Sequence, residues 1–181
     1  LKVIYPAFPQ DAKGLLCAAI NDPNPVLFFE HKALYRSVYQ EVSDDYFTIE
    51  IGKANLLKEG NDVTVISYGA GVHWALEVLE NNPEIHADMI DLRTLQPLDV
   101  ETIYTSVRKT GKAIFLQEDS QFGGIASDVS ALITENCFED LDAPVKRVAS
   151  IETPIPFQGE LEKQYLPKNR FESELKLLLN Y

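Results

Sequence analysis

Short apolar runs alternate with amphipathic helical stripes along most of the chain, and this alternation limits the possible folds. Residues 63–66 are β-branched and predict a strand, and apolar residues then recur at helical spacing from Val72 to Leu79. An apolar run at 113–116 and a further predicted strand at 145–148 are separated by another predicted helix. The pattern predicts an α/β fold with a mostly parallel sheet and helices on both faces.

Local signals define several elements more closely. Residues 54–57 and 63–66 flank a Glu-Gly-Asn-Asp turn, which predicts a β-hairpin. Asp99 is a predicted N-cap for a helix that ends at Gly111. A helix is expected to run from Gly124 to about residue 138, and another from 171 to 179.

The first 35 residues form a separate β-α-β pattern, with strands at 3–5 and 26–29 around a helical stripe. A β-α-β unit cannot bury both of its faces alone, so we expect it to be the end of a larger domain. Residues 36–52 are acidic and aromatic without a sustained period, and they are predicted to be an extended linker that packs along a surface. Residues 53–181 form the second predicted domain.

The chain is acidic, with 16 Lys and Arg against 28 Asp and Glu and a formal net charge of −12. Nucleic acids and anionic membranes are polyanions, so we expect neither as a partner. No segment approaches the length of a membrane span, and the first residues do not resemble a signal peptide. The two cysteines are predicted to be thiols, and the protein is not expected to be secreted.

One short motif resembles a dinucleotide-binding fingerprint. Gly69 and Gly71 follow a strand, and Asp91 lies 20 residues beyond Gly71. However, Trp74 stands where the third glycine would allow the helix to approach the strand. The pattern therefore favours an ordinary strand-to-helix turn, and His31, His73 and His86 are not spaced as metal ligands.

The acidic residues are unevenly distributed. Between Lys112 and Lys146 there are seven acids and no Lys or Arg; the acids are Glu118, Asp119, Asp128, Glu135, Glu139, Asp140 and Asp142. On one continuous helix, Asp128, Glu135 and Glu139 would share a face. Such a run is either a solvated surface or a docking surface for a basic partner, whose binding would depend on salt.

Several strings together resemble the β-subunit of the thiamine diphosphate-dependent first component of 2-oxo acid dehydrogenase complexes. The strings are DAKGLL (11–16), FFEHKALYR (28–36), IDLRTLQP (90–97), QFGGIAS (121–127), LDAPVKRV (141–148) and TPIP (153–156). FFE followed by LYR, and Cys137 and Phe138 before LDAP, look most similar to the branched-chain (2-oxoisovalerate) members. The resemblance covers essentially the whole chain.

The resemblance implies a transketolase C-terminal-like domain at 53–181, preceded by the last β-α-β of a pyrimidine-binding domain. Thiamine diphosphate and magnesium would belong to the full enzyme, but the cofactor-protonating glutamate, the catalytic histidine and the Gly-Asp-Gly motif have no match here. Many members also have His-Glu where this chain has Gln117 and Glu118, so no role transfers to position 117. We therefore expect no catalytic, cofactor or metal residue in this part of the protein, no bound cofactor and no activity on its own.

The part of the family's function that transfers is docking. In this family the β C-terminal domain binds a small basic domain of the acyltransferase core. The resemblance implies docking positions at Asp142 and the terminal carboxylate of Tyr181, with Arg147 beside them. Glu139 and Asp140 of the acidic run are predicted to join this surface.

The resemblance implies oxidative decarboxylation of a branched-chain 2-oxo acid, with acyl transfer to lipoyl-lysine, by the full protein. Assembly and docking would be the role of this part. Its partners would be an α-subunit or α half, a second β copy and the basic peripheral-subunit-binding domain, in the cytoplasm or mitochondrial matrix. The alternatives are a pyruvate or acetoin dehydrogenase β-subunit, another transketolase-like enzyme, or a non-catalytic interaction module.

Overall fold

The structure, a computed structural model, describes all 181 residues and contains eight strands and seven α-helices. The strands are β1 (Lys2–Ile4), β2 (Val26–Phe28), β3 (Asn55–Lys58), β4 (Val63–Ser67), β5 (Ala87–Asp91), β6 (Thr94–Gln96), β7 (Ala113–Ser120) and β8 (Lys146–Ser150). The helices are α1 (Pro9–Asn21), α2 (Leu34–Ser37), α3 (Ala70–Asn81), α4 (Val100–Thr110), α5 (Ile125–Cys137), α6 (Gly159–Tyr165) and α7 (Lys168–Leu179). A single 3₁₀ turn (Phe138–Asp140) follows α5.

A five-stranded sheet in the order β3-β5-β4-β7-β8 forms the centre of the molecule. The β5, β4, β7 and β8 strands are parallel to one another, and β3 is antiparallel to β5. All residues of β4 and β5 are buried, as expected for strands covered on both faces. The α/β fold with a mostly parallel sheet is confirmed.

The helices lie on both faces of this sheet. The core of one face combines side chains of α3 and α7, such as Val72, Leu79 and Phe171, with alternate residues of the strands. The other face packs α4 and α5, with Ile103, Val107 and Ile133 among its fully buried side chains. At roughly 25 cal/mol per Å² of apolar surface, these two layers supply most of the driving force for folding.

The predicted hairpin between 54–57 and 63–66 is wrong. The β3 strand pairs with β5 rather than β4, because both edges of β4 are taken by the parallel strands β5 and β7. Alternate residues of β3 are exposed, which suits an edge strand. The turn instead crosses the start of β5, where the Gly60 amide donates to Asp88 Oδ1 at 2.9 Å.

The predicted ends of α4 are confirmed. Asp99 Oδ1 accepts a hydrogen bond from the Thr102 amide at 3.3 Å, which satisfies one of the free N–H groups of the first turn. Gly111 ends the helix at φ 69°, in the left-handed conformation that glycine adopts most easily. The α5 helix ends at Cys137, and the predicted closing helix begins three residues earlier than expected, at Lys168.

The first β-α-β unit packs onto the second unit through a strand that the sequence analysis missed. The β1 strand pairs in parallel with β2 and antiparallel with β6, forming the three-stranded sheet β2-β1-β6. Arg93 donates two hydrogen bonds to Asp11 of α1, at 2.9 and 2.7 Å. His73 Nε2 lies 2.7 Å from the carbonyl oxygen of Ala7.

Residues 38–50 contain no helix or strand and run along α1. The Ile49 amide donates to the Gly14 carbonyl at 3.1 Å, and the Gln10 amide donates to Gln40 Oε1 at 3.0 Å. A Cβ at position 14 would overlap the side chains of Phe47 and Ile49, which would have to shift, so glycine favours this close approach. None of the helices in the structure combines the length and apolar character that a membrane crossing needs.

Candidate functional site

A long groove runs along the outer side of α5, between that helix and the connection that leads into edge strand β8. We call it the α5–β8 groove. It is lined by Ser127, Ser130, Ala131, Thr134, Glu135, Phe138, Leu141, Asp142, Ala143, Pro144, Val145 and Arg147. Two of the five residues predicted for docking, Asp142 and Arg147, therefore lie in one groove.

Asp142 stands at one end of this groove, held in place by its own backbone. Its amide donates to the Gly111 carbonyl at 2.8 Å, and its exposed carboxylate lies directly against Gly111. A Cβ at position 111 would overlap that carboxylate. The left-handed end of α4 thus sets the position of an acidic side chain at the rim of the groove.

Arg147 lies on β8 and reaches across to α5. Its Nη1 donates to Ser127 Oγ at 2.6 Å, and the side chain is partly exposed. No carboxylate lies within ion-pair distance of this guanidinium. The remaining guanidinium donors can therefore reach a carboxylate or carbonyl group of a molecule in the groove.

Glu139 and Asp140 are both exposed, on the 3₁₀ turn at the end of α5. Asp140 Oδ2 lies 3.7 Å from Arg108 Nε, and Arg108 also donates to the Asn136 carbonyl at 3.1 Å. The expectation that Glu139 shares a helix face with Asp128 and Glu135 is wrong, because α5 ends before Glu139. Arg108 of α4 therefore lies beside this acidic surface, although the acidic segment itself contains no Lys or Arg.

Tyr181 does not line the groove. It follows α7, its amide donates to the Leu178 carbonyl at 3.3 Å, and its side chain is 68% exposed. The end of α7 is connected to Asp142 only through other residues. Lys112 Nζ donates to the Leu179 carbonyl at 3.1 Å, and the preceding residue, Gly111, accepts a hydrogen bond from the Asp142 amide.

The seven acidic residues between Lys112 and Lys146 lie in two separate parts of the structure. Five acids lie along α5, the 3₁₀ turn and the following loop, whereas Glu118 and Asp119 lie at the carboxyl end of β7. There they line a different cavity, together with Tyr5, Tyr68 and other residues. Of the seven acids, only Glu135 and Asp142 line the α5–β8 groove itself, so proximity in sequence overstated its acidity.

The glycine pair that resembles a dinucleotide fingerprint does not form a phosphate cradle. Gly69 has φ 55°, and a Cβ there would lie 2.9 Å from the Tyr5 ring, so Tyr5 covers the start of α3. Asp91 is fully buried and accepts from the Arg93 amide at 3.0 Å, so it cannot reach a ribose. These residues do not fit thiamine diphosphate or another phosphorylated cofactor.

Sequence reasoning missed two features of these sites. Phe138 is 72% exposed at the groove, although large apolar side chains are more often buried. Gln117 is completely buried; its Oε1 accepts from the Ala126 amide at 2.9 Å and so holds the start of α5. One indication of this burial was present in the sequence, because Gln117 directly follows four apolar residues of the same strand.

Comparison with known proteins finds one family model and several related enzyme subunits. Residues 52–170 match the family model for the transketolase C-terminal domain. Over 169 residues the chain is 47% identical to 2-oxoisovalerate dehydrogenase subunit beta of Bacillus subtilis, covering 92% of this chain and 52% of that protein. Over 172 residues it is 46% identical to pyruvate dehydrogenase E1 component subunit beta of the same organism, covering 94% and 53%.

A solved structure described as a split-gene transketolase, an inactive beta4 tetramer, superposes with a TM-score of 0.74 at 27% sequence identity. The match covers 99% of this chain and 57% of the other. The chain spans about half the length of the curated relatives it matches.

Proposed function

Because the chain belongs to the transketolase C-terminal domain family, we propose that it is the carboxyl-terminal part of the β-subunit of a 2-oxo acid dehydrogenase first component. The complete protein would oxidatively decarboxylate a branched-chain 2-oxo acid and transfer the acyl group to lipoyl-lysine. Thiamine diphosphate and magnesium would be held outside these residues. The role of this part would be assembly with an α-subunit and a second β copy, and docking to the acyltransferase core.

The branched-chain substrate is supported by the 47% identity to the 2-oxoisovalerate enzyme subunit, but the 46% identity to the pyruvate enzyme subunit is nearly equal. The complete protein, assembled with its α-subunit, is assayed with 2-oxoisovalerate and with pyruvate. A higher kcat/KM for 2-oxoisovalerate supports the proposal. A preference for pyruvate would favour the alternative, and no turnover of either would favour an interaction module.

The docking role rests on the α5–β8 groove. Asp142 and Glu135 place negative charge along it, and Glu139 and Asp140 extend this charge past the end of α5. Phe138 adds an exposed apolar anchor beside these acids. A small basic domain matches this arrangement, because cationic side chains can pair with the rim while an apolar side chain contacts Phe138.

The docking proposal is tested in the assembled protein with the basic peripheral-subunit-binding domain of the acyltransferase. We expect Asp142→Lys to weaken binding by about tenfold or more at low salt, since a like charge then faces the partner. Glu139→Lys should weaken binding less, because Glu139 is exposed and lies outside the groove lining. Titration calorimetry at two salt concentrations measures both the affinity and its salt dependence.

Glu59→Lys is the matched control. Glu59 is also exposed, but it lies in the β3–β4 connection at the opposite edge of the sheet, and its reversal should leave docking unchanged. Equal losses in Asp142→Lys and Glu59→Lys would mean that only net charge matters. Unchanged, salt-sensitive binding in Asp142→Lys would show that docking uses another surface.

A further inference from the structure

The second cavity lies at the carboxyl ends of β4 and β7, between the two units of the chain. We call it the aromatic pocket; it has a volume of about 360 Å³ and is lined by Tyr5, Phe29, Tyr68, Leu95, Glu118, Asp119, Ile155, Glu162, Tyr165 and Leu166. In this sheet, β5 lies on one side of β4 and β7 on the other. Open α/β sheets commonly bind ligands at such a point, outside the carboxyl ends of the strands where the strand order reverses.

Four aromatic side chains form much of the wall of the aromatic pocket. The Tyr5 ring centroid lies 5.4 Å from that of Tyr68 and 5.8 Å from that of Phe29. Tyr165 completes the lining from α6 and is buried. Aromatic faces carry negative quadrupole potential, so several rings around one cavity favour a cation.

The charges in the lining have the same sign. Glu118, Asp119 and Glu162 are acidic, and the lining contains neither Lys nor Arg. Burial and then the Glu118 charge raise the pKa of Tyr5 to about 12. Burial raises the pKa of Tyr68 above its ordinary value, with Asp119 the next cause. The negative potential thus reaches the aromatic walls.

His31 is the one basic side chain in an ion pair with a lining carboxylate; its Nε2 lies 3.0 Å from Glu118 Oε2. No ion pair involves Asp119 or Glu162, so their charge is available to a ligand. The carboxylates are not grouped as metal ligands anywhere in the chain. A bare divalent ion is therefore a poor occupant, and an anion would be repelled.

We propose that the aromatic pocket binds the head of a small organic cation, a guanidinium or alkylammonium group, between the aromatic rings and the Glu118, Asp119 and Glu162 carboxylates. Such a group is large and weakly hydrated, so ring faces can replace part of its water shell. The cavity volume is near the lower end of the usual range of about 300–1,000 Å³ for ligand pockets, which suits a small molecule. This site is separate from the α5–β8 groove and does not depend on the proposed docking role.

The test is titration of the intact protein with butylguanidinium, and with butylurea as a neutral probe of similar shape. We expect butylguanidinium to bind at millimolar concentration or below and butylurea to bind more weakly. Glu118→Gln should weaken butylguanidinium binding about fivefold, because one carboxylate charge is lost at a partly exposed site. Phe29→Leu should weaken it about threefold, because it removes a ring but keeps apolar bulk.

Glu59→Gln is the matched control, since it removes an exposed carboxylate outside the pocket and should leave binding unchanged. Circular dichroism checks that each variant is folded; if Phe29→Leu is not, Glu118→Gln decides the result. Equal binding of the two probes would overturn the proposal. So would binding of butylguanidinium that Glu118→Gln leaves unaffected.

Discussion

Asp91 is the residue whose environment departs most from that of an ordinary carboxylate. It is fully buried, its Oδ1 accepts from the Arg93 amide, and its Oδ2 has no hydrogen-bond partner. Burial raises the pKa of Asp91 to about 7, and the nearby negative charge of Asp11 acts in the same direction. The side chain therefore retains its proton at pH values where the unfolded chain has lost it.

This difference predicts a pH-dependent stability. Between about pH 4 and pH 7 the unfolded chain loses the Asp91 proton while the folded chain keeps it, so the free energy of unfolding falls as pH rises. Asp91→Asn removes this loss, and above pH 7 we expect it to raise stability relative to the wild type by on the order of 4 kcal/mol. Below pH 4 the difference should disappear.

Urea denaturation across this pH range measures the Asp91 effect. Asp119→Asn is the control, because it also replaces a carboxylate by an amide, but at an exposed position at the end of β7. A stability difference between Asp91→Asn and the wild type that does not change with pH would contradict a raised pKa at this position.

At the scale of single elements, Gly111 at the end of α4 has both a left-handed backbone conformation and a close neighbour where a side chain would be. Gly111 adopts φ 69°, and its missing side chain leaves room for the Asp142 carboxylate. Gly123 also has a positive φ, 74°, but a Cβ there would meet no atom within 4 Å. The two glycines therefore separate the cost of backbone strain from the cost of steric overlap.

We expect Gly123→Ala to destabilise the protein by about 1–2 kcal/mol, the cost of a left-handed alanine. Gly111→Ala should cost that amount plus about 0.5–1.5 kcal/mol, because the exposed Asp142 side chain must leave its present rotamer. Thermal or urea unfolding of both variants provides the comparison. Equal costs would mean that the Asp142 carboxylate moves freely and is not positioned by Gly111.

Elements defined by local signals were predictable, and elements defined by distant partners were not. The ends of α4 follow from Asp99 and Gly111, whose roles depend on neighbours within one turn. The β6 strand has only three residues and exists because β1 pairs with it across about 90 residues of chain. The partner of β3 was mispredicted for the same reason, since pairing depends on which sheet edges remain free.

At the scale of the whole molecule, His31 joins the first unit to the central sheet. It is partly buried after β2, and its hydrogen bond with Glu118 of β7 raises its pKa. A raised folded pKa means that this contact stabilises the structure below pH 6.5 and is lost as pH rises through the folded pKa. Because Glu118 is partly exposed, we expect an effect of about 1 kcal/mol or less.

Hydrogen exchange of residues 1–50 measures this contact. His31→Gln should speed exchange there at mildly acidic pH and have little effect at alkaline pH. His86→Gln is the control, because His86 also lies near a carboxylate, 3.4 Å from Asp62, but on the exposed side of the second unit. Similar exchange in His31→Gln and the wild type at acidic pH would contradict the role of the His31–Glu118 contact.

The amino-acid sequence by itself determined the α/β class, most helices, the caps of α4 and the family resemblance, because these depend on periodicity and on residues near one another in the chain. Only the tertiary structure decided that Tyr5 covers the glycines after β4, that Arg93 binds Asp11, and that the acidic run divides between two sites. Each of these outcomes joins residues distant in sequence. Strand order and packing bring them together, and no local pattern encodes that order.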